Sequence, residues 1–184
     1  MSRQNENWRV LQKEVALEHP FVNISMEKVR LPDGQVIDDW PKIYTRDYVN
    51  ALVLNEAGEA MIIEGYKHGS GWSSWQMVGG YLEEGEDPYT AIQRELLEET
   101  GYSCTNWRYL GSYTIDANRH VGIGHFFYAS GAKLIAPPNH DDLEAFTVNW
   151  VSVEDLKYAL LDGRIGVISY ATNVALALLM IQKH

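Results

Sequence analysis

Three carboxylates crowd the end of one predicted helix. In Arg94-Glu95-Leu96-Leu97-Glu98-Glu99-Thr100-Gly101, a helix turning about 100° per residue stacks Glu95 over Glu99 at i, i+4 and sets Glu98 beside them. The helix dipole is negative at that end, where cations are normally preferred. Each like-charge pair costs a few tenths of a kcal/mol, with a dipole contribution of similar size. A bound divalent cation inverts that sign. Hard cations such as Mg2+ take oxygen ligands and keep several waters, so carboxylates on one helix face, a backbone carbonyl and a substrate phosphate make a natural site. Arg94 is placed to pair with Glu98 at i, i+4. Taken alone, the ridge reads equally as a solvated acidic face with a surface ion pair.

The element that must carry these acids is well marked. Asp87-Pro88 supplies an N-cap and a first-turn proline, and Gly101 supplies the C-terminal stop, predicting a helix over 88–100. Tyr89, Ile92 and Leu96 form its apolar stripe. Upstream, Val22 to Arg30, the turn Leu31-Pro32-Asp33-Gly34 and Gln35 to Tyr44 read as a β-hairpin arm. Tyr48 to Leu54 and Ala60 to Tyr66 read as a second hairpin around Asn55–Glu59. A short strand over Trp75–Val78 precedes Gly79-Gly80, a break where backbone can approach closely. Downstream come strands over Trp107–Asp116, His125–Ala129 and Phe146–Val151, then a helix opened by Ser152 and Asp155 and closed near Gly163, and a last helix from Tyr170 to Gln182. This order predicts α+β layers, with helices packed on a mixed sheet.

The 184 residues carry 25 Asp and Glu against 15 Lys and Arg, a formal charge of −10. That balance disfavours broad nucleic-acid binding and attachment to an anionic membrane surface. An anionic substrate would need a cation to bring it in. The polar stretch from Met1 to Val10 lacks the apolar core of a signal peptide, so a cytoplasmic location is expected. The apolar stretch Val174–Ile181 is far shorter than the roughly 20 residues that span a bilayer. Cys104, the single cysteine, reads as a buried spectator.

From Gly80, five residues lead to Glu86 and seven more to Arg94. Glu95, Leu96, Glu98, Glu99, Gly101 and Tyr102 then follow in register. This spacing resembles the Nudix box, the signature of the Nudix hydrolases, with Tyr102 where that family usually carries an aliphatic residue. Seven fixed residue types would coincide by chance at a given position with odds on the order of 10⁻⁸. The resemblance implies a Nudix α/β/α sandwich with a mixed sheet and an N-terminal β arm, divided into an arm over 1–47 and a Nudix hydrolase domain over 48–184. It implies Mg2+- or Mn2+-dependent hydrolysis of a nucleoside diphosphate linked to another moiety.

By match to the box, Glu95, Glu98, Glu99 and the Gly79 carbonyl are implied as metal ligands, with Glu98 also catalytic. Gly80, Glu86, Arg94 and Gly101 are implied as its structural residues. The runs Leu31–Gly34, Asp38–Trp40, Gly65–Gly69 and Gly85–Pro88 resemble the ADP-ribose and nucleotide-sugar pyrophosphatase branch, in which the arm mediates homodimerisation. Two departures concern the substrate: 101–136 contains no proline, and Val78 stands where a proline often precedes the glycines. Glu144, six residues before Trp150, is similar in spacing to the downstream glutamate of that branch, which implies it as the general base, with Asp142 as the alternative and His140 as a third choice on chemical grounds. Trp40 is a stacking candidate for the base, and Lys67 and Arg119 are candidate phosphate contacts. A nucleoside triphosphate pyrophosphohydrolase and a non-catalytic Nudix-fold ligand-binding protein are the alternative readings.

Overall fold

The computed structural model describes residues 7–138 and 146–181. In chain order its elements are β1 (Arg9–His19), β2 (Val22–Arg30), β3 (Val36–Thr45), β4 (Tyr48–Asn55), β5 (Ala60–Lys67), β6 (Trp72–Gln76) and β7 (Val78–Tyr81). They continue as α1 (Pro88–Thr100), β8 (Tyr102–Ser103), β9 (Asn106–Asp116), β10 (His120–Leu134), β11 (Phe146–Val151), α2 (Val153–Asp162) and α3 (Ile168–Ile181). By its contacts the chain divides into two compact units, Met1–Asp47 with Tyr113–Ile123, and Tyr48–Ser112 with Gly124–His184.

The first unit is a meander in which β1 pairs antiparallel with β2, and β2 with β3. The β2–β3 turn closes through Gly34, at φ 91°, whose N–H donates to Leu31 O at 3.0 Å. The start of β10 adds a short parallel pairing, His120 with Ile43 and Val121 with Tyr44. The sequence reading places no element ahead of Val22, so β1 is an addition to it. The segment Leu11–Glu18 is rich in helix formers, and cross-strand pairing with β2 overrides that local preference.

In the second unit, β4 lies between β10, its parallel neighbour, and the antiparallel β5 and β7. Strand β11 extends the sheet on β5. Six consecutive residues of β4, from Val49 to Leu54, are buried, the pattern of a strand covered on both faces. Its alternation deals Val49, Ala51 and Val53 to one core with Ala91, Ile92 and Leu96 of α1. Leu52 and Leu54 go to the opposite core with Leu156, Ala159, Val174 and Ala177 of α2 and α3. The result is α+β: a mixed sheet sandwiched between helices.

Helix α1 runs over the span that its signals predict. Asp87 Oδ1 accepts from Tyr89 N at 3.0 Å and Thr90 N at 3.2 Å, and Pro88 opens the first turn. Gly101, at φ 74°, donates to Leu97 O at 2.8 Å. Several boundaries differ from expectation: the single strand expected over Trp75–Val78 is divided between β6 and β7, and β10 runs past Ala129 to Leu134. Gly79-Gly80 is not a break but part of β7, paired Asn50 to Gly79 and Val49 to Gly80; glycine's weak strand preference is outweighed by the ladder. Strand β10 begins at His120, before the expected His125, and α3 begins two residues before Tyr170.

The end of α1 makes a stability prediction. A Cβ on Gly101 would adopt the left-handed region and overlap the Ala136 carbonyl. Gly101→Ala is expected to lower stability by at least about 1 kcal/mol, read as a lower urea midpoint at unchanged slope.

Candidate active site

Helix α1 presents its acids toward β7 because Ile92 and Leu96, at 0% and 1% exposure, hold its apolar face on the sheet. With that rotation set, the carboxylates meet a single guanidinium. Arg94 Nε donates to Glu86 Oε1 at 3.0 Å and Nη2 to Glu86 Oε2 at 2.9 Å, a two-pronged contact. Its Nη1 donates to Glu95 Oε1 at 2.8 Å and to Glu98 Oε2 at 3.1 Å, while Nη2 also reaches Tyr81 O at 3.2 Å. All five guanidinium N–H donors are thereby engaged. Glu86 is further fixed by Glu83 N at 3.0 Å. Arg94 thus ties β7, the turn at 83–86 and α1 together.

The two glycines of β7 let the strand come against the acids. A Cβ built on Gly80 would overlap the Glu95 carboxylate, and one on Gly79 would overlap Val49 O and Asn50 Oδ1. Gly79 N donates to Glu99 Oε2 at 3.3 Å. One guanidinium among the carboxylates of Glu86, Glu95, Glu98 and Glu99 leaves three formal negative charges in this corner. Among the described residues no three His, Cys, Asp or Glu side chains converge as a metal cluster by themselves, and Arg94 Nη1 stands between Glu95 and Glu98. The donors are hard oxygens beside an anionic surplus, which fits a Mg2+-type ion completed by waters and substrate oxygens.

The electrostatics follow from these contacts. Hydrogen bonds from Arg94, then from Glu83 N–H, hold the Glu86 carboxyl below its ordinary value. The same carboxylates, Glu86 foremost, push the Arg94 guanidinium further up. Away from the ridge, burial raises the Cys104 thiol to about 11, which keeps it protonated and a poor nucleophile at neutral pH.

The other sequence candidates are placed as follows. Trp40, on β3, donates its indole N–H to Asn118 O at 3.1 Å and meets Trp8 edge-on at 4.9 Å. Arg119, between β9 and β10, pairs with Asp116 at 3.7 Å. Lys67 ends β5, and its carbonyl accepts from Ser70 N at 3.1 Å and Gly71 N at 2.9 Å. Glu144, Asp142 and His140 lie outside the described residues. Sequence reasoning missed the Tyr81 carbonyl and the Gly79 and Glu83 N–H groups. Backbone donors and acceptors carry no residue-type signal.

A helix-flanked mixed sheet presenting an acid-rich helix end beside a glycine pair defines the class. Residues 44–169 match the NUDIX domain, and the chain belongs to the Nudix family. It is a Nudix hydrolase. Over 159 residues it is 28% identical to a CMP-5'-(N-acetyl-N-hydroxy-3-aminopropyl)phosphonate hydrolase of Streptomyces rubellomurinus, covering 85% of this chain and 75% of that one. It is 38% identical over 86 residues to an RNA pyrophosphohydrolase of Brucella ovis, an alignment covering 44% of this chain and about half of that protein, 48%. The crystal structure of an ADP compounds hydrolase matches its fold at a TM-score of 0.82, over 99% of this chain and 98% of that one, at 15% identity. Among the described residues no helix is long and apolar enough to cross a membrane.

The Glu86 contacts predict an acid-limb effect. A carboxyl held below its ordinary 4.5 in the fold contributes stability that is complete above 4.5 and lost as pH falls through the depressed value. Glu86→Gln removes that increment. In metal-free buffer the variant's urea midpoint is expected to fall less steeply than that of the unsubstituted protein as pH drops below 4.5.

Proposed function

We propose that this Nudix hydrolase cleaves the pyrophosphate bond of a nucleoside diphosphate joined to another moiety, ADP-ribose or a related nucleotide sugar, releasing a nucleoside monophosphate and a sugar phosphate. The supporting observation is the uncompensated negative corner around Arg94, which gains a purpose when a cation occupies it. Glu95, Glu99 and Glu98, with the Gly79 carbonyl, would hold Mg2+ or Mn2+. The ion would neutralise phosphate oxygens and lower the pKa of a bound water. Arg94 keeps the Glu95 and Glu98 carboxylates oriented, while Glu86 holds the guanidinium from the far side. Glu144 or Asp142 would take the proton of the attacking water. Trp40, Lys67 and Arg119 would contact the substrate.

The choice of substrate draws on two names. The Streptomyces relative is named for a CMP-linked phosphonate, and the structural neighbour for ADP compounds. Both denote a nucleotide carrying a second group. The arm over 1–47 serves a second copy of this chain, with the hydrolase domain over 48–184. Every residue of β1 is exposed, among them Val10, Val15 and Leu17, an edge that invites strand or side-chain pairing. Such a protein would work in the cytoplasm, where the single thiol stays reduced.

Assay with Mg2+ of ADP-ribose, other nucleotide sugars, dinucleoside polyphosphates and nucleoside triphosphates tests the reading. Turnover is expected to be highest on a nucleotide sugar and abolished by EDTA. Glu98→Gln and Glu99→Gln are each expected to lower kcat by about 10²-fold or more. They should leave the metal-free fold as stable, or more stable by a few tenths of a kcal/mol, because repulsion is relieved. Activity indifferent to EDTA and to both substitutions would remove the proposed site. For the arm, sedimentation is expected to show a dimer that Val15→Glu with Leu17→Glu converts to monomer; a monomeric unsubstituted protein ends that part.

A further inference from the structure

A cavity of about 560 Å³ opens at the start of β9, bounded by the first turn of α1 and the last turn of α3. It lies within one unit of the fold and away from the acidic ridge. Tyr89 lines it from the first turn of α1, while Glu95, Glu98 and Glu99 stand six, nine and ten residues further on, about 9 to 15 Å along the helix axis. Nothing in the chemistry assigned to Glu95, Glu98 and Glu99 uses this space.

Its lining combines aromatic faces with polar groups and one cation. Tyr89 and Trp107 meet edge to face at 6.0 Å, and Phe127 backs both, at 6.3 Å from Tyr89 and 6.4 Å from Trp107. The Trp107 indole N–H is committed to Cys104 O at 3.1 Å, so that ring offers only its apolar surface. Tyr128 adds a third ring, and Asn106 and Ser130 add an amide and a hydroxyl. Arg108 lines the same cavity and forms no ion pair among the described residues.

Arg108 is exposed at the cavity, so its guanidinium is open to an incoming anion. The end of α3, reached through Met180 and Ile181, brings the opposite sign, but a helix terminus carries about half a charge and the guanidinium a full one. The balance favours an anion. The volume falls in the range of small-molecule sites, roughly 300–1,000 Å³. A planar ring with hydrogen-bonding edges and an anionic group matches this lining: rings for stacking, Asn106 and Ser130 for the edge, Arg108 for a phosphate.

We propose that this cavity is a second ligand site that takes a nucleoside monophosphate, its base against Tyr89 and Trp107 and its phosphate on Arg108. It extends the reading above, under which such a molecule is the product of hydrolysis. Calorimetric titration of the full chain in EDTA, where the acidic ridge repels anions, tests it with AMP, CMP, inorganic phosphate and benzoate as probes. AMP or CMP is expected to bind the unsubstituted protein and Glu98→Gln within twofold of each other. Arg108→Ala is expected to weaken that binding by about tenfold or more, and Arg108→Lys to restore only part of it, since an ammonium lacks the guanidinium fork.

Four results would overturn the assignment. They are no nucleotide binding at millimolar concentration, phosphate binding as tightly as AMP, benzoate binding as tightly as AMP, and nucleotide binding lost in Glu98→Gln but kept in Arg108→Ala. Arg108 is exposed, so its variants are expected to keep the fold, and their unfolding curves verify that. Because no turnover is measured, the titration stands or falls separately from the substrate panel.

Discussion

One guanidinium carries the corner on which the catalytic reading depends. Arg94 spends all five of its N–H donors, two on Glu86, one each on Glu95 and Glu98, and one on the Tyr81 carbonyl. A lysine could supply the charge but not the planar fork that addresses a turn, a strand and its own helix at once. The acids therefore stand in fixed orientations despite their mutual repulsion and the unfavourable helix dipole. Three formal negative charges remain after Arg94 is counted. Under the proposed function a cation beside this helix would offset that surplus and would reconcile an acidic protein with an anionic substrate.

The rest of the second unit keeps that corner in register. Two cores on opposite faces of the sheet clamp β4, and α1 is held on one of them by Ala91, Ile92 and Leu96. Rotation of the helix would bury a carboxylate or expose Leu96, so the apolar stripe sets the direction of the acids. On the strand side, the missing side chains of Gly79 and Gly80 are as consequential as any present. They allow β7 to stay in the ladder with β4 while its backbone meets Glu95 and Glu99. The first turn of the same helix borders an aromatic cavity with a cation and no acid, so the two ends of α1 face chemically unlike environments.

The Nudix box was legible because most of its logic is short-range. Asp87 caps amides two and three residues on, Gly101 closes the helix on Leu97, and Arg94 reaches Glu98 one turn away. These contacts span four residues or fewer, so residue types in order are enough to infer them. Strand β1 was illegible for the converse reason. Its Gln12, Lys13, Glu14, Ala16 and Leu17 favour helix locally, and only β2, aligned from Arg9–Arg30 to His19–Val22, makes it a strand.

By itself, then, the sequence determined helix α1 with its caps, the ridge of acids, most of the strands and the Nudix resemblance, all consequences of local spacing and side-chain type. The tertiary structure alone decided that Gly79-Gly80 would be ladder instead of break. It also decided that Arg94 would join Glu86 to Tyr81, and that Tyr89, Trp107 and Tyr128 would share a cavity with Arg108. Each of these depends on backbone groups or on residues distant in the chain. Such partners have no fixed spacing, and only the packing of sheet against helix brings them within bonding distance.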